Sequence, residues 1–183
     1  KNRYELDKLN NNIYTLKDNK NLVKKFVKTL PYELTNAQKK VITTIYKEIT
    51  NGKIINRLIQ GDVGSGKTIV SLIMLLYMAE NKYQGTIMAP TEILAKQHYL
   101  SVVKSFENLD VRVELLTSSV KGKKREQLLN DISNGDVDIV IGTHALIEDD
   151  IRFKNLGLTI IDEQHKFGVE QRNKLREKGS LTN

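Results

Sequence analysis

Residues Gly61 to Thr68 read GDVGSGKT, the pattern G-x-x-x-x-G-K-[ST], and the chain on either side supplies the setting that the pattern needs. Leu58 and Ile59, with Ile54 and Ile55 just upstream, form a strand-like lead, and Ile69 through Met78 is an almost unbroken apolar run, too long for a strand and of helical length. A loop that leaves a buried strand and opens a helix turns its backbone N–H groups toward an anion. Gly61, Gly64 and Gly66 let that loop curl without Cβ clashes, and Ser65 sits among them. Lys67 can reach the outer phosphates of a nucleoside triphosphate, and the Thr68 hydroxyl can ligate magnesium. ATP and Mg2+ are the expected ligands.

The chain has 183 residues, enough for about one domain with a core of its own. It has no cysteine, which excludes disulfides and thiolate metal sites, and His98, His144 and His165 fit no zinc spacing. The longest apolar stretch, residues 69–79, is too short to cross a bilayer, and no N-terminal signal pattern is present, so a cytoplasmic protein without membrane association is expected. Net charge is +7, unevenly spread: residues 1–60 carry 13 Lys+Arg against 5 Asp+Glu, and residues 61–183 carry 16 against 17. The basic first third suits either contact with nucleic-acid phosphates or solvated helix faces.

Residues 1–30 read as a polar linker ending in an amphipathic helix with Leu22, Val23, Phe26, Val27 and Leu30 at helical spacing. Pro31 ends it, and Thr35 or Asn36 N-caps a second helix that runs to about Ile49, terminated by Asn51-Gly52. Strands are expected at 57–60, 85–89, 111–116, 137–141 and 158–161, separated by helices at 67–81, 92–107 and 123–133. That alternation predicts an α/β fold, a mostly parallel sheet with helices on both faces, binding its ligand beyond the carboxyl ends of the strands.

The strand ends therefore carry the chemistry. The run Leu158 to Ile161 leads into Asp162-Glu163-Gln164-His165. Asp162 is placed to hold magnesium through water, and Glu163 to orient and deprotonate an attacking water. Pro90 ends the second strand and Thr91 can cap the helix that begins at Glu92, while Gly142-Thr143-His144 ends the fourth strand abruptly. Both exits suit plain helix capping or anchoring of a polyphosphate backbone. Lys121, Lys123, Lys124 and Arg125 open a helix, where positive charge opposes the dipole; the cluster reads as solvated surface or as a ligand-facing patch.

Taken in order, Leu34-Thr35 with Gln38, the phosphate loop, Ala89 to Ala95 with Gln97-His98, Gly142 to Ile147, and Asp162 to His165 running into Lys166-Phe167-Gly168-Val169-Glu170-Gln171-Arg172 resemble the superfamily 2 helicases, over residues 24–178. Within that superfamily the likeness is to enzymes that remodel branched DNA. The resemblance implies a three-layer RecA-like P-loop NTPase domain. It also implies that Gln38 contacts adenine, that Pro90, Thr91, Glu92, Gly142, Thr143 and His144 touch DNA, and that Gln164 and His165 couple hydrolysis to DNA. Tyr32 and Lys166 stand where the family often has Phe and Arg, and Ser118 where it often has Gly. Such motors sandwich the nucleotide between two lobes, the second giving an arginine to the transferring phosphoryl group. The expectation is a first motor lobe at 31–183, preceded at 1–30 by a linker from a wedge domain, acting as a monomer with branched DNA and with wedge and second lobe as partners in cis.

Three other readings compete. A DNA-binding module could use ATP only as a conformational switch, and a related translocase that couples transcription to repair shares much of the pattern. A phosphate-loop kinase or GTPase is the third, although Asn81-Lys82-Tyr83-Gln84 lacks the aspartate of a guanine-specificity box.

Overall fold

The computed structural model describes residues 22–50, 55–59, 67–147 and 150–162. Five strands, β1 (Ile55–Ile59), β2 (Gln84–Met88), β3 (Val113–Leu116), β4 (Ile139–Gly142) and β5 (Leu156–Asp162), form one sheet in the order β1-β5-β2-β4-β3. Every pairing is parallel, as the alternation of strands and helices predicts. The helices are α1 (Leu22–Thr29), α2 (Asn36–Thr50), α3 (Lys67–Glu80), α4 (Glu92–Ser105) and α5 (Gly122–Asn134), with a 3-10 turn at His144–Ile147.

The chain steps from β1 over to β2 and on to the edge at β3, then turns back through β4 to β5. Because crossovers between parallel strands are right-handed, reversing the direction of travel moves the connecting helix to the opposite face. Leu72, Leu75 and Leu76 of α3, with Val102 of α4, accordingly pack with Ile87, Ile139, Ile141, Leu158 and Ile160 on one face. Leu128 and Ile132 of α5, with Ala145 and Leu146 of the 3-10 turn, pack with Met88, Val140 and Ile161 on the other. The alternation Ile139, Val140, Ile141 divides one strand between two cores.

The apolar run of α3 has a structural cause. It lies between the sheet and a further layer made by α1 and α2, so Leu72 to Leu76, Met78 and Ala79 are all buried. Leu22 and Phe26 of α1 belong to the same core, and Phe26 meets Phe106 edge to face with ring centroids 5.4 Å apart. Glu80, at the end of α3, accepts a hydrogen bond from the Val23 amide, which ties down the start of α1. Close approach of α3 to the sheet requires Gly85, where an added Cβ would fall 2.5 Å from Leu75 Cδ2.

The predicted and observed elements agree to within about two residues at each end, and the differences have local causes. β3 begins at Val113, two residues later than expected, because the Arg112 amide donates to the Asp138 carboxylate and the Arg112 carbonyl accepts from the Asp138 and Ile139 amides. β5 is longer than expected at its start, because Gln84 draws the approach to it into the sheet: the Gln84 Oε1 accepts from the Lys154 and Asn155 amides, and its Nε2 donates to the Ile132 and Val137 carbonyls. The expected end of α2 at Asn51-Gly52, the last residue of the predicted strand 57–60, and residues 1–21 lie outside the described residues.

Candidate nucleotide and nucleic-acid site

β1 and β5 are neighbours, and the last residue of one is the register partner of the last residue of the other: Ile59 faces Asp162. The segment leaving β1 leads to α3, whose first residue is Lys67. The backbone therefore brings the start of α3 and the acidic end of β5 to the same edge of the sheet. That placement fits a magnesium-bridged triphosphate, with helix N–H groups on one side and a carboxylate-bearing strand end on the other. Gly61, Gly64, Ser65 and Gly66 of the phosphate loop, and Glu163, Gln164 and His165 after β5, lie outside the described residues. For Lys67, Thr68 and Asp162 the backbone alone is described.

Gln38 lies in the first turn of α2. Its Oε1 accepts from the Thr35 amide at 2.9 Å, and its own amide donates to Thr35 Oγ1 at 3.1 Å. This is a reciprocal capping box, the pattern T-x-x-Q at a helix start. It fixes the Gln38 side chain at the head of α2. In the same segment a cleft of about 430 Å3 is lined by Leu30, Pro31, Tyr32, Leu34 and Lys39, and Tyr32 is 52% exposed.

The second group of expected residues also assembles. β2 and β4 are paired, Met88 opposite Gly142, and the Ala89 amide donates to the Gly142 carbonyl at 2.8 Å just beyond the strands. This bond holds together the two exits that contain Pro90, Thr91 and Glu92 on one side and Gly142, Thr143 and His144 on the other. Thr91 caps α4, its hydroxyl accepting from the Leu94 amide at 3.2 Å. Gly142 has a steric reason to be glycine: an added Cβ would fall 2.1 Å from the Leu116 carbonyl oxygen of neighbouring β3.

Glu92 has partners that sequence reasoning missed. Its Oε1 accepts from Thr117 Oγ1 at 2.8 Å and from Ser119 Oγ, both in the loop after β3. These two hydroxyl bonds hold its carboxyl below the usual carboxylate range, with Lys96 adding to the effect. No local pattern could have exposed a contact spanning 25 residues. Of the basic run at the start of α5, Lys121, Lys123 and Lys124 are exposed, and Arg125 reaches Asp150 at 3.2 Å. Lys121 is the N-cap of α5 and makes no side-chain capping bond.

A parallel sheet of this order, with a phosphate-loop pattern leading into α3 and an acidic pair beginning at the last residue of the adjacent strand, is the arrangement of a phosphate-loop nucleotide-binding domain. The sequence pattern of the DEAD/DEAH box helicases matches residues 35–182, and the chain belongs to that family. More particularly, it is similar to the RecG helicases. It is 56% identical over 155 residues to the ATP-dependent DNA helicase RecG of Bacillus subtilis, covering 85% of this chain and 23% of that protein. It is 53% identical over 163 residues to RecG of Staphylococcus epidermidis, covering 89% and 24%. A solved structure of RecG bound to a three-way DNA junction superposes with a TM-score of 0.74 at 47% identity, over 81% of this chain and 20% of that one. The chain thus spans about a quarter of the length of the curated relatives it matches.

Proposed function

We propose that this chain is the ATP-binding first motor lobe of a RecG-like DNA helicase, in which ATP hydrolysis drives the remodelling of branched DNA such as replication forks and Holliday junctions. The observation that carries this reading is the pairing of Ile59 with Asp162, which supports a single nucleotide site shared by the start of α3 and the end of β5. In this site the backbone of Gly61 to Gly66 would cradle the phosphates, Lys67 would contact the outer ones, and Thr68, with Asp162 through water, would hold magnesium. The metal, when bound, offsets charge on the outer phosphates. Glu163 orients the attacking water and takes its proton, and Gln38 recognises adenine from the head of α2.

DNA crosses the edge next door, along Pro90 to Glu92 and Gly142 to His144, with Gln164 and His165 linking the two sites. The joining of those two exits by the Ala89–Gly142 bond supports one continuous surface. The reading includes a second lobe and a wedge domain as partners in cis, a monomeric enzyme and a cytoplasmic location. No helix among the described residues is long and apolar enough to cross a membrane.

Glu163→Gln in the full-length protein tests the catalytic assignment. Losing a general base should cost about two to four orders of magnitude in turnover, while affinity for ATP measured by fluorescent-nucleotide displacement stays near wild type. Lys67→Ala should weaken nucleotide binding itself. A Glu163→Gln protein that hydrolyses ATP at the wild-type rate would overturn the assignment of Glu163 as the general base.

A further inference from the structure

Both of the hydroxyls that donate to Glu92 come from one short loop. Thr117, which is 1% exposed, leaves β3, and the Val120 amide closes a tight turn onto the Thr117 carbonyl at 3.1 Å. Ser119 lies inside that turn, and the chain then runs directly into Lys121, Gly122, Lys123 and Lys124. One carboxylate oxygen in the first turn of α4 thereby tethers the loop that leads into α5. Glu92 also has its own reasons to stay ionised where it is, since a helix N-terminus favours a carboxylate and Lys96 lies one turn further on.

A carboxylate repels a phosphate backbone, so Glu92, with Oε1 taken by two hydroxyl donors, is better suited to holding the loop than to contacting DNA. The three exposed lysines are of the opposite character. None of them forms an ion pair among the described residues, while the fourth cation of the run, Arg125, is held by Asp150.

We propose that Glu92 is a positioning residue: its carboxylate makes no contact with DNA but clamps the 117–121 loop, so that Lys121, Lys123 and Lys124 meet the phosphates of a strand lying across the carboxyl ends of β2, β3 and β4. The inference rests on the DNA-binding reading above, replaces a direct contact by the Glu92 side chain with a positioning role, and adds a basic contact surface.

A thermodynamic cycle tests it in the full-length protein, with a fluorescein-labelled three-way DNA junction titrated by anisotropy without nucleotide. Glu92→Ala and the pair Thr117→Val with Ser119→Ala should each weaken binding by roughly five- to tenfold, and the triple variant no further, because residues acting through one contact are not additive. Glu92→Gln keeps an acceptor oxygen and should restore binding to within about twofold of wild type. Lys123→Ala with Lys124→Ala, both on the exposed surface, should lower the slope of log affinity against log salt by about two, and Glu92→Ala should lower it as well.

Losses from Glu92→Ala that multiply those of the hydroxyl variants, tighter binding by Glu92→Ala, or a salt slope untouched by the lysine variants would each overturn the proposal. Wild-type protein that bound no junction would defeat the DNA reading along with it. Multiplicative losses on a wild type that does bind would defeat the positioning role alone.

Discussion

Ile59 and Asp162 are register partners at the ends of β1 and β5, so the strand that leads to the phosphate-loop motif and the strand that ends in the acidic pair stop side by side. Nothing intervenes between them in the sheet. The remainder of the architecture serves to hold that edge, and its own weak and strong points can be measured.

Gln84 ties the end of α5 and the approaches to β4 and β5 together. All four of its side-chain bonds, at 2.9 to 3.1 Å, go to backbone groups near the amino-terminal ends of β4 and β5. Replacing it with Met leaves the Val137 carbonyl and the Lys154 and Asn155 amides without these bonds, while the Ile132 carbonyl keeps the Gly135 amide, and should cost about 3 kcal/mol. Urea unfolding checks this. Gln84→Glu should fail too, since its second carboxylate oxygen would meet the Ile132 and Val137 carbonyls.

Thr86 is the opposite case. It is fully buried in central strand β2, and its hydroxyl is the one buried side-chain polar atom without a hydrogen-bond partner among the described residues. Thr86→Val keeps the shape and removes the orphaned oxygen, so it should raise stability by about 1 kcal/mol. A lower thermal midpoint for this variant would show that the hydroxyl has a partner after all.

Two buried glycines should respond differently to alanine. At Gly142 the new Cβ meets backbone on β3, which cannot rotate away, whereas at Gly85 it meets the far end of the Leu75 side chain. Gly142→Ala should therefore destabilise by roughly 3 kcal/mol and Gly85→Ala by clearly less. Calorimetry on the pair distinguishes them, and shows whether any DNA-binding defect of Gly142→Ala is a folding defect first.

Acid should weaken the β3 side of the molecule. The Arg112 guanidinium, 2.7 Å from Asp131, and the Gln127 amide hold the Asp131 carboxyl below its usual value of 3.8, and two hydroxyls do the same for Glu92. A carboxyl lowered on folding contributes stability that is fully present above its unfolded value and is lost as pH falls through the folded one. Stability measured from pH 5 down to 2 should thus fall through and below the ordinary carboxylate range, and Asp131→Asn should flatten that fall.

What the sequence disclosed and withheld follows from the range of each interaction. α3 is legible because a run as long and apolar as Ile69 to Met78 has one conformation that buries it, and Thr91 is legible as a cap because its partner, Leu94, is three residues away. The Thr35–Gln38 box is equally local, with Thr35 legible as a candidate cap, and the pattern T-x-x-Q carries the reciprocal bond as well. Strand order could not be read at all, since placing β5 between β1 and β2 depends on pairing segments about a hundred residues apart in sequence. The same holds for the clamp on Glu92, whose donors are ordinary hydroxyls in a loop with no pattern pointing at α4.

Inserting β5 between β1 and β2 also sets a length scale. With neighbouring strands about 4.8 Å apart, the end of β1 lies roughly 10 Å from the end of β2, and β5 pairs with both. A group held at the end of β5 therefore stands within one strand spacing of both neighbouring strand ends, the one that leads to the phosphate-loop motif and the one that leads to Pro90 and Thr91.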